Sequence, residues 1–179
     1  LAAIGVGKGD IVQNCFAYHF TPAGMMFESA AAAVGAVVVP AGTGQTELQA
    51  TAMANLGVTA YAGTPDYLKA ILEKGASIGL DLSSVTRACV SAGPLFPSLR
   101  QEYEDRGITC RQCYGTADVG HIAYESLALE GMIIDEGVVV EIVTPGTGIP
   151  VEDGQIGEVI VTTFTPEFPL IRFATGDLS

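Results

Sequence analysis

Between Ile11 and Cys113 the chain alternates short β-rich runs with Ala-rich helical stretches. That alternation limits it to a mostly parallel sheet with covering helices, because parallel neighbours need crossover connections of roughly a dozen residues. The spacing predicts strands at residues 11–17, 36–40, 58–62, 87–91 and 108–113. It predicts helices at 22–34, 45–56, 64–74 and 97–106. Thr21 is placed to cap the first helix, with Pro22 in its opening turn. Leu68, Ile71 and Leu72 fall at i, i+3 and i+4, the apolar stripe of the third. Past Leu129 the texture changes. Runs at 132–134, 138–143, 156–163 and 170–173 are separated by Gly, Pro and Asp turns that leave no room for helices. The expected organisation is an α/β subdomain over residues 1–129, followed by a β-rich partial barrel over residues 130–179.

Charge and composition remove whole classes of function. Twenty acidic side chains against eight basic give a formal charge of −12, and the cations are scattered thinly from Lys8 to Arg172. A nucleic-acid binder needs clustered cations to displace phosphate counterions, so no nucleic-acid partner is expected. An anionic nucleotide would have to be held by backbone N–H groups, a metal ion or cations from elsewhere. The apolar run at 30–40 is too short to span a bilayer and is broken by Gly35, so no membrane role is expected. The opening Leu1-Ala2-Ala3 shows no secretory pattern and reads as an internal segment of something longer. Cys110 and Cys113 have C-x-x-C spacing, but residues three apart on a strand point to opposite faces. No second pair or neighbouring His in sequence completes a zinc site. Cys15, Cys89, Cys110 and Cys113 therefore read as structural thiols of a reducing, cytoplasmic compartment.

In such sheets ligands gather at the carboxyl ends of strands, so the loops there come first. Ser91-Ala92-Gly93-Pro94 lies between a strand and a helix, with Gly93 suited to close approach by a flat ligand. Gln112 to Asp118 offers an aromatic face at Tyr114, a bend at Gly115, a hydroxyl at Thr116 and a carboxylate at Asp118. Arg172 to Leu178 contains Thr175-Gly176-Asp177, whose carboxylate suits two hydroxyl donors. Taken singly, these are a common turn, a buried aromatic beside a bend and a solvated turn.

In order and spacing, however, the three loops resemble core motifs of the adenylate-forming superfamily: the small-residue adenine loop, Tyr-Gly-x-Thr-Glu, and Tyr-basic-Thr-Gly-Asp. Asn14 to Tyr18, Gly35 to Pro40, Gly44 to Glu47, Thr64 to Leu68 and Pro169 to Phe173 further resemble the phenylacetate–CoA ligase branch. The resemblance runs over essentially the whole chain. It implies that a carboxylic acid attacks the α-phosphate of ATP, and that CoA then displaces AMP from the acyl-adenylate. By the same resemblance Ser91, Ala92, Gly93 and Pro94 line adenine, Tyr114 stacks on it, and Gln112 accepts from its amino group. Gly115 belongs to the nucleotide-binding loop, Thr116 touches the α-phosphate, Asp118 binds Mg²⁺, the last two being the catalytic residues, and Asp177 holds the ribose hydroxyls. Tyr18 and His19 border the acid pocket.

Three positions depart from the motifs. Ala117 lacks the second hydroxyl, Asp118 is one methylene shorter than Glu, and Ala174 replaces the basic residue. The family's Gly/Ser/Thr-rich phosphate loop and its C-terminal domain with the catalytic Lys lie outside these residues. The chain alone is expected to fold, bind nucleotide weakly and not turn over. Apolar surface left at its cut edges points to self-association, as in a homodimer. The competing expectation is a non-catalytic or regulatory nucleotide-binding module of the same fold. A dinucleotide oxidoreductase is disfavoured because no G-x-G-x-x-G follows the first strand.

Overall fold

The computed structural model describes residues 1–179. Five strands, β1 (Ile11–Asn14), β2 (Val37–Pro40), β3 (Ala60–Gly63), β4 (Arg87–Val90) and β5 (Thr109–Thr116), pair in parallel in the order β2-β1-β3-β4-β5. Helices α1 (Ala23–Ala33), α2 (Thr46–Leu56), α3 (Pro65–Ser77) and α4 (Pro97–Asp105) make the crossovers. On one face Met53, Leu68, Ile71, Leu72 and Tyr103 form a core with Tyr61 and Val90. Full burial of each such side chain contributes about 1.5–3 kcal/mol relative to exposure. On the other face α1 covers Val12, Phe16, Cys89 and Cys113. Cys110 belongs to the first core and Cys113 to the second, as strand alternation requires. No helix is long and apolar enough to cross a membrane.

The strand ends depart from the sequence reading in ways that matter for the site. β1 stops at Asn14, three residues early, because that side chain is fully buried and turns the chain. Its Nδ2 donates to Tyr18 Oη and Gly24 O, both at 2.8 Å, and its Oδ1 accepts from Phe16 N at 3.2 Å. β5 runs three residues past its expected end, into Tyr114-Gly115-Thr116, then turns back as β6 (Gly120–Glu125). Tyr114 to Asp118, expected as a loop after the strand, instead form the end of β5 and part of the hairpin turn. β7 (Met132–Ile134) pairs antiparallel with β6 and closes the edge of the large sheet.

The second sheet is antiparallel, in the order β10-β9-β8, from β8 (Val138–Val143), β9 (Glu158–Thr163) and β10 (Phe173–Leu178). β7 thus belongs to the large sheet and β8 to the second. β10 also lies later than expected, with Thr175-Gly176-Asp177 inside the strand and an irregular register between Ala174 and Leu178. Val159 and Val161 pack on Ile122 and Ala123 of the hairpin, with Tyr114 half-buried against them. This packing brings the last motif of the chain to the end of β5.

Candidate active site

β4 and β5 are parallel neighbours, with Val90 opposite Gln112, so their carboxyl ends deliver Ser91–Pro94 and Tyr114–Thr116 side by side. Ser91 Oγ donates to Cys113 O at 2.8 Å and ties the two loops together. In the first loop the left-handed residue is Ala92, with φ +59°, a conformation that costs a non-glycine residue roughly 1–2 kcal/mol. Gly93 does not need it, and a Cβ there would meet Pro65 only at 3.5 Å. At Gly115 the constraint is steric. A Cβ would lie 2.5 Å from the carbonyl oxygen of Gly120 across the hairpin.

Tyr114 Oη donates to Asp177 Oδ2 at 2.7 Å, joining residues 63 positions apart. Burial raises the Tyr114 pKa and the Asp177 carboxylate raises it further, against the Thr175 hydroxyl, so the phenol keeps its proton. Thr116 Oγ1 accepts from Val119 N at 3.0 Å, which leaves its own proton free to donate elsewhere. Asp118 is exposed in the turn between β5 and β6 and makes no hydrogen bond or ion pair. No group of three or more His, Cys, Asp or Glu could cage a metal ion. A single free carboxylate suits Mg²⁺, which usually takes one or two carboxylates and completes its shell with phosphate oxygens and water.

Gln112 is anchored from behind. Its backbone N–H donates to Glu125 Oε2 at 2.8 Å and its Nε2 to Oε1 at 3.2 Å, leaving its carbonyl oxygen as the free end. Arg100 Nη2 reaches the same Glu125 Oε1 at 2.7 Å.

A cavity of about 200 Å³ opens beside Ser91, Ala92 and Tyr114–Ala117. Its apolar wall comes from Phe16, Pro22, Ala23, Met26 and Phe27, with the Phe16 and Phe27 rings stacked at 4.3 Å. Tyr18 and His19 do not line it. The Tyr18 ring is wedged against Gly24, and burial pushes its pKa up to about 12, with Glu28 adding to the shift. His19 stacks on the fully exposed ring of Phe20. The sequence reading assigned Met26 and Phe27 only to a helix. Their shared face with Phe16 becomes visible once Asn14 has turned the chain onto α1.

The model of the AMP-binding enzyme family matches residues 1–164. The chain is 34% identical to phenylacetate–coenzyme A ligase of Escherichia coli over 188 residues, covering 100% of this chain and 43% of that protein. It is 28% identical to the enzyme of the same description from Thermus thermophilus, covering 100% of this chain and 42% of that protein. The chain thus spans about two fifths of the length of the curated relatives it matches. Among solved structures, 2-hydroxyisobutyryl-CoA ligase in the postadenylation state, in complex with 2-HIB-AMP, superposes with a TM-score of 0.90 at 19% identity. That match covers 99% of this chain and 40% of the other. At that identity the likeness speaks for the fold alone, but the family model takes in the first two of the three motif segments, and the chain belongs to the AMP-binding enzyme family.

Proposed function

We propose that the protein carrying this chain is an ATP-dependent, AMP-forming carboxylate–CoA ligase acting on a small aryl acid of the phenylacetate type. The observation that carries the reading is the Tyr114–Asp177 hydrogen bond beside the Ser91–Pro94 loop. It brings an aromatic face and a carboxylate together near a strained backbone loop and an apolar cavity with an aromatic wall. Adenine would lie between the Ser91–Pro94 backbone and Tyr114, its amino group toward the free carbonyl of Gln112. The ribose hydroxyls would donate to Asp177, and Thr116 would donate to the α-phosphate.

The acid enters with its ring against Phe16 and Phe27, and its carboxylate oxygen attacks the α-phosphorus as pyrophosphate leaves. The thiol of CoA then attacks the acyl carbon and AMP departs, a far better leaving group than a bare carboxylate oxygen. Positioning and charge neutralisation supply most of the rate in phosphoryl chemistry of this kind. Mg²⁺ held at Asp118 would neutralise phosphate charge that this acidic chain cannot balance with its own few cations. Within this reading residues 1–129 and 130–179 are two parts of one adenylating domain, at work in the cytoplasm. The test is acid-dependent ATP–pyrophosphate exchange by the protein at the full length of its relatives. Exchange that requires phenylacetate or a close aryl acid supports the reading. Nucleotide binding without exchange for any carboxylic acid would point to the non-catalytic module instead.

A further inference from the structure

A second, larger cavity of about 390 Å³ lies on the α1 face between β4, β5, β6 and the turn at Ala2–Ile4. It shares Met26, Phe27, Cys113 and His121 with the cavity at the motif loops. Two thiols meet in its wall. The parallel register sets Cys89 opposite Arg111, and Cys113 follows two residues on, so both cysteines face the same side of the sheet. Their sulfurs lie 3.9 Å apart.

The surroundings are those of a reactive thiol. His121 lines both cavities with Cys113, and its Nδ1 lies 3.0 Å from Asp135 Oδ2, which fixes the ring. A thiol, an imidazole and the carboxylate that orients it are thus gathered at one cavity. Arg111 lines the same cavity, is 9% exposed and has a buried Nε with no partner. The one carboxylate in the wall, Glu125, is engaged by Arg100 and Gln112. The Cys89 contact, against burial and with His121 adding to it, holds the Cys113 thiol well below its usual range, while the same contact and burial keep Cys89 protonated. Cys15 and Cys110 differ. They sit in the opposite core, line neither cavity, and burial pushes each up to about 12.

We propose that Cys113 and Cys89 form a peroxide-reactive thiol pair, a modification site that closes to a disulfide directly behind the Ser91 and Tyr114 loops. The Cys113 thiolate attacks one oxygen of hydrogen peroxide. The O–O bond breaks, the departing hydroxide takes the His121 proton as water, and Cys113 becomes a sulfenic acid. The Cys89 sulfur then attacks the Cys113 sulfur. The S–O bond breaks, and hydroxide leaves as a second water with the Cys89 proton. Two thiols and one peroxide thus give one disulfide and two waters. Diagonal neighbours across a sheet are about 7–8 Å apart at Cα, slightly beyond the span of a relaxed disulfide. Closure must therefore shift β4 against β5, and Ser91, bonded to Cys113 O, moves with them. A strained bridge of this kind is readily reduced.

The site stands independently of the adenylation reading, and its test uses the chain as it is. Native protein treated with hydrogen peroxide should lose about 2 Da, recoverable by dithiothreitol, with the crosslink mapped to Cys89–Cys113. Cys89→Ser should stop at a Cys113 sulfenic acid trapped by dimedone. Cys113→Ser should abolish both products, and His121→Gln should slow oxidation at least about tenfold at neutral pH. The proposal is overturned if unsubstituted protein accumulates a stable Cys113 sulfenic acid without the bridge. It is equally overturned if Cys15 and Cys110 oxidise as fast as Cys113 in the folded chain.

Discussion

Replacing Glu125 with Gln should destabilise the protein by about 2–3 kcal/mol and loosen Gln112 at the root of the Tyr114 loop. The Glu125 side chain is 10% exposed and its partner Arg100 16%. It accepts three hydrogen bonds, from Arg100 Nη2, Gln112 N and Gln112 Nε2. Breaking a buried ion pair from one side costs about 3–5 kcal/mol, because the remaining charge is stranded. Arg100 keeps its bond to Cys110 O at 3.0 Å and some access to water, which lowers the figure. Gln adds a second penalty, since its amide nitrogen must face one of three donors. For a chain of this size the loss corresponds to a melting point lower by about 4–12 °C. Thermal and urea melts followed by circular dichroism read it directly. The companion variant Arg100→Met/Glu125→Leu should regain much of the loss, because it strands no charge. A Glu125→Gln protein that melts within about a degree of the parent would refute the claim that this buried carboxylate holds the hairpin.

Gly115→Ala should cost about 1–3 kcal/mol, because the new Cβ would sit 2.5 Å from a backbone carbonyl that has no flexible end to move; an unchanged melting point would mean that the hairpin has room to spare. Asp10 accepts from Gly7 N, Thr59 Oγ1 and Arg87 Nη1, and although burial raises its pKa these bonds carry it below the usual value. Its stabilisation is therefore present above its unfolded pKa and lost as pH falls through the lower folded one. The melting gap between parent and Asp10→Asn should be constant from about pH 7 to 5 and close below about pH 4; a gap undiminished near pH 2.5 would contradict the assignment. Asp118→Asn should leave the melting point unchanged, since Asp118 bonds nothing in the chain, yet lower pyrophosphate exchange by about 10²-fold in the full-length protein. Unaltered exchange across a magnesium titration would remove Asp118 from the site.

The alternating core was legible because each crossover carries its own local signals, such as Thr64-Pro65 opening α3 and the Leu68, Ile71, Leu72 stripe. The misread segments are those whose state depends on distant partners. Tyr114-Gly115-Thr116 and Thr175-Gly176-Asp177 are built from turn-favouring residues, yet both lie in strands, paired with β6 and β9. β7 looked like part of the later meander because its three apolar residues carry no mark of which sheet they join. At the site, chain order and the strand-end rule singled out the loops around Ser91 and Tyr114. The bond that unites Tyr114 with Asp177 spans 63 positions and has no local signature. The sequence points to Tyr18 and His19 as pocket residues, whereas the apolar wall of the cavity beside the motif loops is formed by Phe16 and Phe27, brought together by the buried Asn14 turn. Among the cysteines the C-x-x-C spacing drew attention to a pair that alternation separates. The pair that meets, Cys89 and Cys113, is set by the parallel register of β4 and β5, and His121 is brought to the same cavity by the antiparallel β5–β6 hairpin.

The most direct measurement is the affinity of the full-length protein for ATP and for 2′,3′-dideoxy-ATP, with Asp177 intact and as Asp177→Ala. Hydrogen bonds to a charged group contribute about 1.5–3 kcal/mol each, so the parent should prefer ATP by at least about tenfold. In Asp177→Ala that preference should collapse to about one, with ATP weakened and the dideoxy nucleotide little changed. Equal weakening of both nucleotides, or a preference that survives the substitution, would contradict an adenylate site built on Tyr114 and Asp177.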